Sequence, residues 1–254
     1  MTPYQYTYQN PIRYIDPTGM SAEDADGVEW TGVEKNKDGT YTVVAGQADN
    51  DKGIYVMENG KRTGETIGKS FTEYSFHEED GSAVVGAIIN PNDTSGINFM
   101  NNEIINNQDL TLDGYMKNAT GGGIYDFKRR DENGAPLSNN DPRFGDRPYH
   151  YRGMLFQGVD GFPEDGTTTF ASARDFGNAS AGYVAGRRGI PWKAARTAFD
   201  GLQTAQDNNW RTGRWQVEGQ PTQRAERAGH NVGIREFKEK QVQPAIISFP
   251  SFRY

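Results

Sequence analysis

The sequence predicts an α+β fold in which an N-terminal antiparallel, β-rich part packs on a mainly helical C-terminal part. Two observations support this division. Short runs of alternating apolar residues, separated by turn dipeptides, occupy residues 37–92. Residues 93–254 instead contain longer stretches in which apolar residues recur every three or four positions, and the clearest of these begins at a capping residue, Ser172.

The β-rich part contains five predicted strands joined by short turns. Asn59-Gly60 favours a two-residue hairpin because both residues tolerate positive φ, and Asp80-Gly81 favours a second tight turn. The predicted strands cover residues 40–45, 54–57, 62–67, 71–76 and 83–89.

Helices are expected to dominate the C-terminal part. The best-marked one runs from its cap, Ser172, to Ala185 and places Phe176, Ala179 and Tyr183 on one buried face. Other helices are predicted over 97–105 and 110–116, from Pro191, and from Thr222; strands are predicted over 124–128, 151–156 and 245–252, with a polar loop over 131–149.

Composition excludes several kinds of site. The chain of 254 residues has no cysteine, which excludes disulfides, a thiolate nucleophile and Cys-ligated zinc. Its three histidines lack the i, i+4 spacing of a zinc-binding helix. No run of eighteen apolar residues is present, so we expect no membrane span, and no secretory signal is recognisable.

Charge is divided unevenly along the chain. Residues 1–119 hold 8 Lys and Arg against 19 Asp and Glu, whereas residues 120–254 hold 19 against 15. A basic half favours an anionic partner such as nucleic acid, although two simply solvated surfaces would give the same counts.

Asp126 and Lys128 form the first candidate site. On a strand they would share a face, where the carboxylate could hold Mg²⁺ and the lysine could stabilise the phosphate in a metal-dependent nuclease. The second acid would be Glu103 or Asp113. The sequence does not specify this cofactor, and a surface charge pair explains the same motif.

Arg174, Asp175 and Asn178 form the second candidate site, at the start of the best-marked helix. Polar residues on a helix otherwise built of Ala, Gly, Ser and aromatics need partners or a ligand, and we expect Asn178 to bind substrate. The structural alternative is that Asp175 only stabilises the positive end of the helix dipole.

Histidine and basic residues near aromatics form the remaining nuclease candidates. His150 could be the general acid or base of a metal-independent RNase, with Arg152 binding substrate beside it. Arg211, Arg214 and Trp215 could clamp and stack a nucleic acid or a glycan. A loop anchored by two buried tryptophans, Trp210 and Trp215, is the structural alternative for the latter pattern.

A carboxylate pair would instead indicate glycoside hydrolysis. Glu103 with Asp126 or Asp175 is the candidate pair, and Glu218 and Glu226 are secondary candidates.

Residues 6–19 read Tyr-x-Tyr-x-Asn-Pro-x-x-Tyr-x-Asp-Pro-x-Gly. This resembles the end of the Rhs-repeat core, the point at which Rhs/YD-repeat proteins switch to a variable toxin. The resemblance implies that Asp16 belongs to an autoproteolytic aspartyl site that frees the toxin in its shell. No partner aspartate precedes it in this sequence, so we expect the segment to be inert by itself.

Several downstream segments resemble toxin tails of Rhs proteins from Bacteroidetes and are similar to polymorphic toxin type 44. They are Asn101-Asn102-Glu103-Ile104, Tyr125-Asp126-Phe127-Lys128, Tyr151-Arg152-Gly153, residues 172–178 with Gly182-Tyr183 and Gly186, and Gln223-Arg224-Ala225-Glu226-Arg227-x-Gly229. The resemblance brings no catalytic assignment with it.

These resemblances imply an organisation and a function. Residues 1–20 would end the Rhs core, the acidic residues 21–36 would form a linker, and residues 37–254 would form the toxin domain. We expect a secreted effector that is delivered into a neighbouring bacterial cell, held by its Rhs shell and neutralised by a cognate immunity protein. A nuclease is the leading activity. The alternatives are a muramidase-like peptidoglycan glycan hydrolase in the periplasm and a non-enzymatic binding module of a YD-repeat surface protein.

Overall fold

The structure is a computed structural model that describes residues 14–15, 23–24, 30–48, 51–206 and 216–242. The predicted strand pattern at 4–8, the turn at 16–19 and the strand at 245–252 lie outside these residues. Two short strands near the N terminus, β1 (Tyr14–Ile15) and β2 (Glu23–Asp24), pair with each other in antiparallel orientation.

Seven further strands form one sheet that closes on itself. Around the sheet their order is β3, β4, β7, β8, β9, β6, β5. Their bounds are Thr31–Lys35 (β3), Tyr41–Gly46 (β4), Gly53–Glu58 (β5), Lys61–Ser70 (β6), Ile88–Asn90 (β7), Gly153–Leu155 (β8) and Thr169–Ser172 (β9).

The sheet confirms the α+β prediction and adds a feature that the sequence pattern did not indicate. Three neighbouring pairs, β3 with β5, β6 with β9 and β7 with β8, are parallel, so the sheet is mixed. Strands β8 and β9 come from the C-terminal half of the chain. They complete a sheet that residues 37–92 cannot close by themselves.

Three predictions for the β-rich part were wrong in detail. Residues 71–76 form turns instead of a strand, and of residues 83–89 only the last two lie in β7. Strand β3 falls within the predicted linker, because its buried Val33 belongs to the sheet interior. The Asn59-Gly60 hairpin is confirmed, with φ of 52° and 74°.

Helices cover most of the described C-terminal half. They are α1 (Ser95–Asn98), which continues as a π-helix (Phe99–Ile105), α2 (Leu112–Asn118), 3-10 helices at Phe127–Arg129 and Pro142–Phe144, α3 (Arg147–His150), α4 (Ala173–Arg187), α5 (Trp192–Gln206) and α6 (Gln220–Val242). The predicted strand at 124–128 was wrong, since a turn leads there into a 3-10 helix. The last helix starts two residues before its predicted cap, Thr222. No described helix is both long and apolar enough to cross a membrane.

Helices α4 and α6 pack backbone against backbone through glycines. A Cβ on Gly182 would lie 1.8 Å from the carbonyl oxygen of Glu226, and one on Gly229 would lie 1.9 Å from that of Ala179. The pattern repeats one turn later at Gly186 and Gly233. Any side chain at these positions would force the two helices apart.

We therefore predict that Gly229→Ala lowers the free energy of unfolding by at least about 3 kcal/mol, because the added methyl overlaps a backbone carbonyl that cannot move alone. Urea unfolding followed by circular dichroism measures the change. Gly177→Ala on α4 is the matched control, since its Cβ would meet no atom within 4 Å. That variant should gain up to about 1 kcal/mol from helix propensity, and equal losses in both variants would contradict the packing argument.

Candidate functional site

The candidate active cleft opens where the segment before α3 meets helices α2, α4, α5 and α6. It has a cavity volume of about 200 Å³. Seven of the candidate site residues of the sequence analysis line it: Asp126, Lys128, His150, Arg174, Asn178, Glu218 and Glu226. Residues that were not candidates also line it, among them Tyr115, Arg147 and Thr222.

A glycine turn positions Asp126. Gly121 and Gly122 have positive φ, and the amide of Gly122 donates to Asp126 Oδ2 at 3.0 Å. Arg129 Nη1 donates to the same oxygen at 3.0 Å, while Lys128 Nζ lies 3.7 Å from Oδ1. Asp126 and Lys128 therefore meet, as predicted, but through a turn and a 3-10 helix and not on one strand face.

Cations crowd one wall of the cleft. Lys128 lies beside Arg129, Arg147 and Arg174, and burial together with these three arginines lowers the pKa of Lys128 despite the opposing effect of Asp126. Arg147 is ion-paired with Glu78. On this wall four cations thus face two carboxylates.

Arg174 is held by hydroxyl groups. Its guanidinium donates to the phenol oxygen of Tyr151, and Nη2 donates to Thr222 Oγ1 at 2.7 Å. Arg174, Gly177, Asn178 and Ala181 follow helical spacing on α4 and line the cleft together. Hydroxyls orient the guanidinium without neutralising it, so its charge is directed to the cleft.

His150 lies at the end of the cationic wall, 6% exposed. Its Nε2 is 2.9 Å from the carbonyl oxygen of Phe144. Burial lowers the pKa of His150, the carbonyl opposes this, and the neighbouring Lys128 and Arg129 lower it further. The ring is therefore neutral near pH 7.

A second charged cluster contributes the carboxylates Glu218 and Glu226 to the cleft lining. Arg196 on α5 binds three carboxylates: Asp200, Glu218 at 2.8 Å and Glu226. Glu226 is 2% exposed, and burial followed by the charge of Glu218 raises its pKa well above the usual range. One guanidinium cannot neutralise three carboxylates, so the buried Glu226 retains a proton to higher pH than an exposed glutamate.

Two tyrosine rings and the side-chain amide of an asparagine also line the cleft. Tyr115 donates its hydroxyl to the carbonyl oxygen of Gly177 at 2.6 Å and stacks on Tyr125. Asn178 Nδ2 is buried without a hydrogen-bond partner among the described residues. A buried amide that donates to nothing is costly, which favours the predicted role of Asn178 in binding a ligand.

Two predicted site residues do not line the cleft and bind backbone groups. Asp175 forms a capping box with Ser172, each side chain accepting from the other's backbone amide at 3.1 Å. Arg152 donates to the backbone carbonyls of Phe127, Lys128, Tyr149 and Arg130, and its guanidinium lies over the rings of Tyr149 and Phe127. The catalytic role of Asp175 and the substrate-binding role of Arg152 stay predictions.

Glu103, the predicted second acid, is bound by an arginine. It lies outside the cleft and forms a two-pronged ion pair with Arg130, with both distances 2.7 Å. Asp113 pairs with Lys117 on the surface of α2. Neither residue therefore supplies a second carboxylate to Asp126. Arg211, Arg214 and Trp215 lie outside the residues that the structure describes.

The spacing of residues in the sequence did not indicate which side chains would line the cleft together. Arg147 carries no motif, and it reaches the site because Pro148 and the cap Asp146 start helix α3 there. Glu226 was only a secondary candidate, although its i, i+4 spacing from Thr222 was readable. The sequence did not indicate the contact between α4 and α6, which brings Thr222 to Arg174.

A Mg²⁺ site does not fit the residues present. Among the described residues, no group of three or more His, Asp and Glu side chains could hold a metal ion. Both oxygens of Asp126 already face cationic groups.

Comparison of the chain with family models, curated proteins and solved structures gives no match.

We predict that Glu226→Gln becomes more stable relative to the wild type as pH rises. The folded-state pKa of Glu226 lies above its unfolded value, so its stabilisation is fully present below about pH 4.3 and is lost as pH rises through the folded pKa. Glutamine does not titrate and avoids this loss. Urea unfolding at several pH values between about 5 and 8 measures the difference.

Glu236→Gln on the same helix is the control with the opposite sign. Burial alone would raise the pKa of Glu236, but hydrogen bonds from Lys240 and Tyr183 outweigh it and lower the pKa. Its stabilisation is present above the unfolded pKa, so the glutamine variant should be less stable at neutral pH. A parallel pH trend in the two variants would contradict the assigned charge state of Glu226.

Proposed function

We propose that this chain carries the toxin domain of an Rhs protein and that its cleft cleaves nucleic acid in the target cell. The crowding of cations at Lys128 is the observation that carries the enzymatic part. Burial and the neighbouring arginines lower the pKa of Lys128, and an anion bound between Lys128, Arg147 and Arg174 would offset the repulsion among these cations. A phosphodiester provides such an anion in every nucleotide.

The cleft also offers the groups that phosphoryl transfer needs. Charge develops on the phosphate oxygens in the transition state, and fixed cations stabilise it in a partly buried site. His150 is neutral and can accept a proton, and Glu226 is buried with a raised pKa and can donate one. The aromatic rings of Tyr115 and Tyr125 give a base a surface for stacking.

The biological setting of the proposal rests on sequence resemblance alone. The motif at 6–19 resembles the end of an Rhs core, and the later segments resemble Rhs toxin tails. In this setting a specialised secretion system delivers the domain into a neighbouring bacterium. A cognate immunity protein protects the producing cell.

A growth assay in which the chain is expressed from an inducible promoter, once without and once with a periplasmic signal, tests the proposed function. We expect death with the cytoplasmic form, with degraded nucleic acid in the dying cells. Survival in both compartments would favour the non-enzymatic binding module.

Lys128→Ala and Arg174→Ala should abolish the toxicity and lower nucleic-acid cleavage by the purified chain on the order of 100-fold, because each removes a fixed cation from the cleft. Lys117→Ala and Arg235→Ala remove cations outside the cleft and serve as controls. Cleavage is measured by gel electrophoresis of total bacterial RNA and of plasmid DNA. Equal losses in site and control variants would contradict the placement of the phosphate.

A glycan hydrolase remains the second candidate because Asp126 and Glu226 line one cleft, a carboxylate pair with the protonated acid that glycosidases use. It predicts lysis only with the exported form and release of reducing sugars from peptidoglycan. That result would replace the nuclease proposal.

A further inference from the structure

We infer that the substrate is RNA and that the cleft cleaves it by internal transfer, with His150 accepting the proton of the 2′-hydroxyl and Glu226 donating a proton to the leaving 5′-oxygen. This inference rests on the proposed nuclease function and adds to it the substrate class, the nucleophile and the proton donor.

The position of Glu226 supports the donor role. Thr222 and Glu226 are one helical turn apart on α6, so their side chains share a face. Thr222 Oγ1 binds the Arg174 guanidinium at 2.7 Å. A phosphate held by Arg174 therefore lies along the same helix face as the Glu226 carboxyl.

The charges around Glu226 keep a proton on it. Arg196 and Asp200 face it from α5, Glu218 faces it from the segment before α6, and Tyr115 lies near it on α2. Burial and Glu218 raise the pKa of Glu226, whereas Arg196 opposes them. Three carboxylates around one guanidinium are most stable when one of them is protonated.

The hydrogen bond of His150 indicates which of its two ring nitrogens carries no hydrogen. The Phe144 carbonyl oxygen can only accept, so Nε2 carries the hydrogen, and in the neutral ring Nδ1 keeps its lone pair. The charged groups facing the ring are Lys128, Arg129 and Asp126, and the two cations with burial favour the neutral form. Nδ1 is therefore the base.

The step balances without another reactant. The 2′-hydroxyl loses its proton to His150 Nδ1 as the O2′–P bond forms, and the P–O5′ bond breaks as the leaving oxygen takes the proton from Glu226. The products are a 2′,3′-cyclic phosphate and a 5′-hydroxyl. Exchange with water returns the proton from His150 to Glu226. DNA lacks the nucleophile and is not cleaved.

The first test uses the purified wild-type chain and an oligoribonucleotide that it cleaves, selected from the fragments of total bacterial RNA. We expect a 2′,3′-cyclic phosphate in the products by mass spectrometry and no cleavage when the nucleotide 5′ to the break is 2′-deoxy. Cleavage of the deoxy substrate would overturn the inference and leave the nuclease function standing. No cleavage of RNA or DNA would overturn both.

The second test isolates the proton donor. A 5′-bridging phosphorothiolate at the cleaved position leaves as a thiolate, which needs no proton. The Glu226→Gln variant should cleave the normal oligonucleotide more slowly than the wild type, on the order of 10²- to 10⁴-fold. It should cleave the phosphorothiolate at close to the wild-type rate. Glu236→Gln should behave as wild type on both. Equal slowing of both substrates by Glu226→Gln would mean that Glu226 only maintains structure and would overturn its role as donor.

Discussion

The contact between α4 and α6 is the constraint on which the cleft depends. Because Gly182 and Gly229 each face a carbonyl of the other helix, the two backbones lie closer than any side chain would permit. This fixes the rotation of both helices, since only their glycine faces can meet. As a result, Arg174 on α4 and Thr222 and Glu226 on α6 are directed to one opening. Arg174 and Asn178, which are unusual on a helix of small residues, follow from this arrangement, because glycines of the helix contact the partner helix and these two polar residues line the cleft.

The arrangement of charged groups in the cleft lowers the stability of the fold. Lys128 is held among three arginines, and Glu226 is buried beside two other carboxylates. Neither environment favours the charged form of its residue, and a sequence selected only for stability would avoid both. Elsewhere the buried guanidinium groups of Arg130 and Arg187 have several partners, the Glu103 carboxylate for the first and four backbone carbonyls for the second. This contrast supports the cleft as the candidate site independently of any motif.

The sequence predicted local structure well where the signal was local. The cap at Ser172 and the turn at Asn59-Gly60 depend on neighbouring residues and were confirmed. Parallel strand pairs, and the arrival of β8 and β9 in the sheet, depend on residues far apart in the chain and left no readable pattern. The same limit applies to the cleft. Asp126 and Lys128 are two positions apart and were singled out together, whereas the hydrogen-bond partners of Asp175 and Arg152, a backbone amide and four carbonyls, cannot be read from side-chain spacing.

Closure of the sheet by β9 has a consequence for how the chain acquires its structure. Strand β6 can pair with β9 only after about a hundred further residues have been synthesised, and the long sequence separation slows the pairing. A ribosome-bound fragment that ends before residue 169 has unpaired strand edges and an uncovered apolar interior, so it is prone to aggregate and has no cleft. Since α6 also supplies one wall, the cleft forms only when nearly the whole chain is available. The late formation of these elements would delay the assembly of the cleft until synthesis has passed α6.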